Sequence, residues 1–313
     1  MVSPRPLLKP PAVAAGASFS VIAPASFAHP ERVLSGLEAL REAGYGPRPG
    51  QHSHLRGPLF FAGTARQRLD DLHKAFADEQ THVVMCLRGG YGSNYLLGDL
   101  DIELIRSCPK PFLAYSDLTG AQLLLLDRLG LPAFHGPMVA ADFASKNGVH
   151  LASFQAALAG KPYSVGAEEG LRVLKDGTAR GILYGGCLSI LVSLLGTPWE
   201  PATEGKLLFL EDTGAKPYQI DRMLWQLRSA GKLDGVKGIV FGEMLECNSS
   251  GAAPNLLEQV ILRAFEDFAG PVAVGLRSGH VSRANVTLTF GVEAELIAHD
   301  PPQLRLLEPA VAQ

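Results

Sequence analysis

The sequence of 313 residues lacks a strong excess of charge of either sign, and it lacks any long uninterrupted apolar run. Its formal net charge is −3, with 28 lysine and arginine residues against 31 aspartate and glutamate residues. The basic residues are scattered, whereas a nucleic-acid-binding surface has them clustered, so we expect no nucleic-acid partner. Because no apolar stretch approaches the roughly 20 residues of a membrane-spanning helix, we expect no membrane partner either.

Cysteine is scarce, and histidine lacks the spacing of metal ligands. The four cysteines, at positions 86, 108, 187 and 247, are too far apart in sequence for a zinc motif or a disulfide framework. None of the nine histidines lies in an H-x-x-H or H-E-x-x-H motif. We therefore predict buried, reduced thiols, no metal and no cofactor.

The first residues faintly resemble a signal peptide. Arg5 and Lys9 precede a run of small residues at 12–17. Several prolines interrupt this segment, and it has no stretch rich in leucine or valine. We therefore expect a cytoplasmic protein.

The composition, 47% hydrophobic and 19% charged, is that of a globular protein with room for two domains. In the first half of the chain, short apolar runs alternate with helical patterns, which predicts parallel strands joined by helices. Residues 1–165 should form an N-terminal α/β domain, built on an open, mostly parallel sheet with flanking helices. The main predicted strands are 18–23, 82–87, 112–115 and 131–134, and the main helices are 31–43, 64–77 and 150–159.

The pattern changes in the second half of the chain. Residues 166–177 are polar and rich in glycine, which suggests a linker. Residues 178–313 should form a smaller, β-rich α/β domain, with strands at 179–184, 206–210, 238–241, 271–275 and 286–290 and a helix opened by Pro217. The predicted fold class is therefore α/β, with two domains.

Ser116 follows a short apolar run and precedes a leucine-rich helical pattern that Gly130 closes. A strand–turn–helix arrangement raises a serine hydroxyl out of a sheet, and the N-terminus of the helix offers N–H donors to an oxyanion. The local sequence is not G-x-S-x-G, since Ala114 replaces the first glycine. The alternative is an ordinary helix capped by Ser116 or Asp117.

The sequence RGGYG at residues 88–92 invites comparison with phosphate-binding loops. It lacks the third glycine of G-x-G-x-x-G and the Lys-Ser/Thr ending of a P-loop. Two interpretations remain open: a tight turn that needs positive φ, or a loop that directs a backbone N–H towards an oxyanion near Ser116.

Glu211 follows the predicted strand 206–210, and His280 follows the predicted strand 271–275. Glu211 either starts a polar loop or orients a histidine, as the third member of a catalytic triad does. His280 is one candidate for a general base, and His135 and His29 are rivals because they also lie at strand ends. His52 lies in a polar loop, where we expect it to be solvated.

Five short motifs occur along the chain in the order CLRGGYG (86–92), YSD (115–117), LFLED (208–212), YQIDRML (218–224) and GH (279–280). Together they resemble the LD-carboxypeptidase family of serine peptidases. This family includes muramoyltetrapeptide carboxypeptidases and microcin C immunity peptidases. The resemblance extends from about residue 18 to near the end of the chain, and it implies an N-terminal sheet domain, a smaller C-terminal domain and a homodimer.

The resemblance also implies a Ser-Glu-His triad that bridges the two domains. Ser116 would be the nucleophile, His280 the general base, and Glu211 the residue that holds the imidazole tautomer. The backbone N–H groups of Gly90 and Asp117 would form the oxyanion hole. These roles agree with elementary chemistry, because a serine hydroxyl needs a base to become a good nucleophile near neutral pH.

The activity that the resemblance implies is hydrolysis of an L,D-peptide bond, releasing D-alanine from a murein tetrapeptide in peptidoglycan recycling. The terminal carboxylate of such a peptide needs a positive partner, and Arg88, Arg222 and Arg277 are candidates. An immunity-type peptidase acting on peptidyl-nucleotides is the alternative; it needs an aromatic surface, which neither Trp199 nor Trp225 convincingly supplies. A nucleotide-binding module that uses the glycine loop, without peptidase activity, is a more distant alternative.

Overall fold

A computed structural model describes residues 6–248 and 255–313 of the chain. Arg5, part of the basic N-terminal segment, therefore lies outside the described residues. The chain divides into two compact units: unit 1 is Met1–Lys161, Arg283–Gly291 and Pro309–Gln313, and unit 2 is Pro162–Ser282 and Val292–Glu308. Each unit carries one sheet, so the fold class is mixed α/β, as predicted.

The strands, in chain order, are β1 (Ser18–Ile22), β2 (Gly46–Pro49), β3 (Val83–Cys86), β4 (Phe112–Ala114), β5 (Ala133–His135), β6 (Tyr163–Gly166), β7 (Arg172–Lys175), β8 (Gly177–Cys187), β9 (Lys206–Glu211), β10 (Gly238–Gly242), β11 (Val272–Leu276), β12 (Leu288–Phe290), β13 (Glu293–Ala298) and β14 (Gln303–Leu306). The α-helices are α1 (Pro30–Glu42), α2 (Ala65–Ala77), α3 (Ile102–Ser107), α4 (Thr119–Leu129), α5 (Leu151–Leu158), α6 (Leu188–Ser193), α7 (Pro217–Ser229) and α8 (Leu256–Ala264). Within the described ranges, no helix combines the length and the apolar character that crossing a membrane requires.

Unit 1 contains a six-stranded sheet in the order β12-β5-β4-β3-β1-β2. Neighbouring strands from β5 to β2 pair in parallel, which confirms the predicted open parallel sheet. Strand β12 pairs antiparallel with β5, with Leu288 opposite His135. This edge strand comes from residues 286–290, which the sequence analysis assigned to the C-terminal domain.

Two helices of unit 1, α2 and α4, have clear local signals at one end. Thr64 caps α2 through a capping box: its hydroxyl accepts the N–H of Gln67 at 3.2 Å, and the Gln67 side chain accepts the N–H of Thr64 at 2.9 Å. Helix α4 is buried along most of its length, and it ends at Gly130, whose φ of +74° suits glycine. The leucine-rich segment after Ser116 is therefore a core helix.

Unit 2 contains an eight-stranded sheet in the order β6-β14-β13-β8-β9-β10-β11-β7. Its centre, β8-β9-β10-β11, is parallel, so that Glu211 lies at the carboxyl end of a fully flanked strand. Residues 166–177, interpreted as a linker, contain β7, which pairs antiparallel with β11 at the sheet edge. Arg172 of this edge strand is exposed and its other three residues are half-buried, so the segment is held in the sheet by its pairing with β11.

The four cysteines are free thiols, as predicted. Cys86, Cys187 and Cys247 are buried, whereas Cys108 is half-buried. Burial raises the pKa of Cys247 to about 11, and it raises the pKa of Cys187 well above the usual thiol value. These thiols are protonated near neutral pH and are poor nucleophiles.

Candidate active site

Ser116 occupies a strained turn between β4 and α4. Strand β4 ends at Ala114, Tyr115 is extended, and Ser116 has a φ of +66° in the left-handed region. A short 3-10 turn over Ser116–Leu118 then leads into α4. A residue other than glycine in this conformation costs about 1–3 kcal/mol, and such strain is typical of a serine nucleophile held at a sharp turn.

The glycine loop lies directly against Ser116. A Cβ placed on Gly89 would lie 2.9 Å from the Cβ and 3.0 Å from the Oγ of Ser116, so only glycine fits there. Gly90 and Gly92 have φ values of +104° and +120°. The two interpretations of RGGYG are therefore compatible, because the loop is a tight turn and also approaches the serine closely.

Ser26, in the loop after β1, fixes the orientation of the peptide that joins Gly89 to Gly90. Its N–H donates to the carbonyl of Gly89 at 3.3 Å, and its Oγ accepts the N–H of Tyr91 at 3.0 Å. In a trans peptide the C=O and N–H groups point in opposite directions, so the N–H of Gly90 points away from Ser26. Ser26 was not among the predicted site residues; its position just beyond the carboxyl end of β1 was the available signal.

Asp117 is buried, and its side chain holds the glycine loop to the turn at Ser116. Its Oδ2 accepts the N–H of Ser93 at 2.8 Å, and its main-chain carbonyl accepts the Ser93 hydroxyl at 2.6 Å. Arg68 donates from Nη1 to the carbonyls of Pro24 and Gly92, each at 2.7 Å. Burial lowers the pKa of the Arg68 guanidinium, and the negative charge of Asp117 opposes that shift.

Glu211 and His280, both in unit 2, form a close pair. The Oε2 atom of Glu211 lies 2.7 Å from Nδ1 of His280 and accepts the His280 main-chain N–H at 3.0 Å. Glu211 is fully buried, whereas the His280 side chain is 20% exposed. A carboxylate at Nδ1 favours the tautomer with its proton on that nitrogen, which leaves Nε2 as an acceptor.

Two glycines make room for the Glu211 side chain. A Cβ on Gly279, whose φ is +89°, would lie 2.6 Å from the carboxyl carbon of Glu211. A Cβ on Gly242 would lie 2.7 Å from the Cβ of Glu211. In the GH motif, the glycine at 279 therefore leaves room for the Glu211 carboxylate, and the histidine at 280 places its imidazole next to that carboxylate.

Asp212, next to Glu211, anchors the end of β9. Its Oδ2 accepts the N–H of Ser189 and its Oδ1 accepts the N–H of Thr213, both at 2.8 Å. Burial raises the pKa of the Asp212 carboxyl, and the nearby Glu211 charge adds to that rise. These bonds join the end of β9 to the start of α6.

The other histidines have different surroundings. His135 is completely buried at the end of β5, with its ring 5.2 Å from that of Phe290. His29 lies at the exposed N-terminus of α1. The expectation of a solvated His52 is wrong, since its Nδ1 lies 2.9 Å from Oδ1 of the buried Asp71. Of these histidines, His280 alone pairs with a carboxylate at the carboxyl end of a central strand.

The three candidate arginines are placed differently. Arg88 lies beside the glycine loop, its Nη2 being 3.4 Å from the position of a Cβ on Gly90. Arg222 lies on α7, with its guanidinium 5.7 Å from the ring centre of Tyr218. Arg277 donates to the main-chain carbonyl of Glu168. Of the three arginines, Arg88 is the one whose guanidinium lies close to Gly90.

The described part of the chain contains no group of three or more histidine, cysteine, aspartate or glutamate side chains that could hold a metal ion. Unit 1 supplies a hydroxyl at a strained turn with glycine backbone near it, and unit 2 supplies an imidazole oriented by a carboxylate. These are the components of nucleophilic acyl transfer.

Two family models match the sequence. The LD-carboxypeptidase N-terminal domain matches residues 20–136, and the LD-carboxypeptidase C-terminal domain matches residues 180–296. The chain is 37% identical over 298 residues to a probable murein peptide carboxypeptidase of Bacillus subtilis, covering 92% of this chain and 91% of that protein. It is 33% identical over 276 residues to a murein tetrapeptide carboxypeptidase of Pseudomonas aeruginosa, covering 83% and 87% of the two chains.

Solved structures show the same likeness. A muramoyltetrapeptide carboxypeptidase from Oxalobacter formigenes superposes with a TM-score of 0.80 at 28% identity, covering 93% of this chain and 99% of that one. An MccF-like protein from Bacillus anthracis superposes with a TM-score of 0.86 at 25% identity, covering 96% and 99%. Sequence, fold and domain matches agree, and the chain belongs to the LD-carboxypeptidase family.

Proposed function

We propose that this protein is a serine carboxypeptidase that hydrolyses an L,D-peptide bond and releases the terminal D-alanine of a murein tetrapeptide. The observation that carries the proposal is the 2.7 Å contact between the buried Glu211 carboxylate and Nδ1 of His280. The strained φ of Ser116 supports the same chemistry. The names of the bacterial relatives support the choice of a murein peptide as substrate.

In this proposal Ser116, His280 and Glu211 act as one proton relay. The Ser116 Oγ attacks the carbonyl carbon of the scissile bond while Nε2 of His280 takes the hydroxyl proton. His280 then gives that proton to the leaving amine of D-alanine, and water hydrolyses the acyl-enzyme by the reverse sequence of proton transfers. Glu211 stays ionised, holds the Nδ1 proton and stabilises the imidazolium.

The negative charge that develops on the carbonyl oxygen needs hydrogen-bond donors. We assign these to the backbone N–H groups of Gly90 and Asp117, which belong to the two segments packed against each other at Ser116. A donor of this kind typically contributes about 3–4 kcal/mol to transition-state stabilisation. We assign Arg88 to the terminal carboxylate of the substrate, because its guanidinium lies beside Gly90.

Two further parts of the proposal depend on the family resemblance. One is a role in peptidoglycan recycling, and the other is a homodimer. Light scattering coupled to gel filtration tests the homodimer, and a monomer at micromolar concentration would contradict it.

A peptidyl-nucleotide is the second candidate substrate, because an aromatic surface flanks the glycine loop. The rings of Phe60 and Tyr91 are 5.3 Å apart, and each side chain is more than 40% exposed. Such rings are suited to stacking on a base. These rings are distinct from the two tryptophans weighed from the sequence, of which Trp225 lies on α7 with 65% of its surface exposed.

The experiment is mass spectrometry of products from L-Ala-γ-D-Glu-meso-diaminopimelate-D-Ala, with a peptidyl-adenylate analogue as the competing substrate. We expect D-alanine from the tetrapeptide with wild type and none with Ser116→Ala, whose circular dichroism should match wild type. Preferred cleavage of the adenylate would select the second candidate. D-alanine release by Ser116→Ala would contradict the serine mechanism. Thermal stabilisation by a nucleotide, with neither substrate cleaved, would favour a binding module.

A further inference from the structure

Ser93 joins the glycine loop to the turn at Ser116. It begins the 3-10 helix Ser93–Asp99, three positions after Gly90, and only 2% of its surface is exposed. Both of its hydrogen bonds described above go to Asp117: N–H to Oδ2 at 2.8 Å, and Oγ to the main-chain carbonyl at 2.6 Å. One buried serine thus fastens two segments that are 24 residues apart in the sequence.

We propose that Ser93 is a positioning residue that sets the separation and direction of the two oxyanion-hole donors. This inference rests on the proposed function, since it assumes that the N–H groups of Gly90 and Asp117 bind the oxyanion. Because Ser93 is buried, we assign it no contact with the substrate. It acts through Asp117 and through the loop that carries Gly90.

The geometry around Asp117 carries the argument. Ser93 binds two of the three polar groups of this residue, its carbonyl and its carboxylate. Holding these two groups restrains the Cα to which the third group, the backbone N–H, is attached, and so limits how far that N–H can move. The bonds are short and buried, and the nearby Arg68 guanidinium balances the charge of the carboxylate.

The glycine loop is held at its other end by Ser26. The Ser26 N–H binds the carbonyl of Gly89, and Ser26 Oγ binds the N–H of Tyr91. Between these contacts and Ser93, the peptide that carries the Gly90 N–H has little freedom to rotate. An error of about 1 Å in such a donor is enough to lower a catalytic rate by about 100-fold.

The test compares Ser93→Ala with Ser53→Ala. Ser53 is a matched control, because it is also a buried serine in unit 1 whose hydroxyl donates to a main-chain carbonyl, that of Gly50, at 2.8 Å. We expect Ser93→Ala to lower kcat for the tetrapeptide by about 10- to 100-fold with KM changed less than threefold. Ser53→Ala should keep wild-type kcat, and both variants should lose similar thermal stability. Ser93→Thr, which restores the hydroxyl, should recover at least a third of the lost rate.

A second readout separates positioning from folding. The aldehyde of L-Ala-γ-D-Glu-meso-diaminopimelate adds reversibly to the Ser116 hydroxyl and gives a hemiacetal whose oxygen occupies the oxyanion hole. Ser93→Ala should weaken binding of this aldehyde about 10- to 100-fold, while the corresponding tripeptide acid binds within threefold of wild type. Wild-type kcat and aldehyde affinity in Ser93→Ala would overturn the inference. Activity in Ser116→Ala would instead overturn the proposed function itself.

Discussion

A single carboxylate oxygen of Glu211, Oε2, contacts both the ring Nδ1 and the main-chain N–H of His280, at 2.7 and 3.0 Å. The two residues are 69 positions apart in the sequence. Because the same oxygen binds the ring and the backbone, the imidazole can neither rotate nor change its tautomer without losing a buried contact. The orientation of the imidazole is therefore set by contacts within the protein itself.

Glu211→Gln should lower kcat about 10⁴-fold and leave the fold intact. A neutral amide can donate to Nδ1, which would place the imidazole proton on Nε2, where it prevents uptake of the serine proton. The measurement is D-alanine release together with circular dichroism. Asp71→Asn is the matched control, because Asp71 pairs with His52 at 2.9 Å in unit 1, and it should keep wild-type kcat. A loss of less than tenfold in Glu211→Gln would be incompatible with the proposed relay.

Gly279→Ala should lower kcat at least 100-fold, because the new methyl group would lie 2.6 Å from the Glu211 carboxyl carbon and displace it. Gly44→Ala separates this effect from backbone strain. Gly44 has a φ of +91°, close to the +89° of Gly279, but has no heavy atom within 4 Å of the added methyl. The control should lose about 1 kcal/mol of unfolding free energy and no activity. Equal kcat losses in the two variants would show that the space around Glu211 is unimportant.

Ser116→Gly should unfold with a free energy about 1 kcal/mol higher than Ser116→Ala, since glycine tolerates the φ of +66°. Urea denaturation of the two inactive variants measures this difference. The same pair of substitutions at Ser35, inside α1, should give the opposite order by about 1 kcal/mol, because glycine weakens a helix interior. Equal stability of the two Ser116 variants would mean that the turn stores no strain.

The free energy of unfolding should decrease as the pH falls below 6.5, because of His73. Its Nε2 accepts the N–H of Asp101 at 2.9 Å, and burial lowers its pKa below the usual 6.5, against the opposing charges of Asp101 and Asp70. Above pH 6.5 the histidine is neutral in both states, so its contribution is fully present. As the pH falls below 6.5 the unfolded chain takes up the proton first, and stability decreases until the folded pKa is reached.

The measurement is the urea midpoint of wild type and His73→Gln at pH 8 and pH 5.5. We expect wild type to lose more of its midpoint between these pH values than the variant loses. An identical decrease in the two proteins would assign the acid sensitivity to other groups.

Local sequence patterns were sufficient for most elements of the fold. The apolar run before Ser116, the leucines after it and Gly130 predicted β4, the turn and α4. The helical pattern of residues 64–77 predicted α2, which the structure places at Ala65–Ala77. These signals lie within a few residues of each element, so the element can be predicted without knowledge of the rest of the chain.

Elements at the sheet edges were predicted less well. Strand β7 is only four residues long, with a basic residue at each end, and its existence depends on pairing with β11. Strand β12 was predicted as a strand, but its partner is β5 of unit 1. A strand pattern predicts which residues are extended, but it does not predict which sheet the strand joins.

The sequence by itself determined the order of strands and helices, the position of Ser116 at a strand–helix turn, and a family resemblance that named Glu211 and His280. The tertiary structure alone decided that the carboxylate of Glu211 meets the ring of His280, that Ser26 orients the glycine loop, and that Ser93 binds Asp117. The physical reason is that helix and strand signals depend on neighbouring residues, whereas each of these contacts joins groups at least 24 positions apart and forms only when the sheets have assembled.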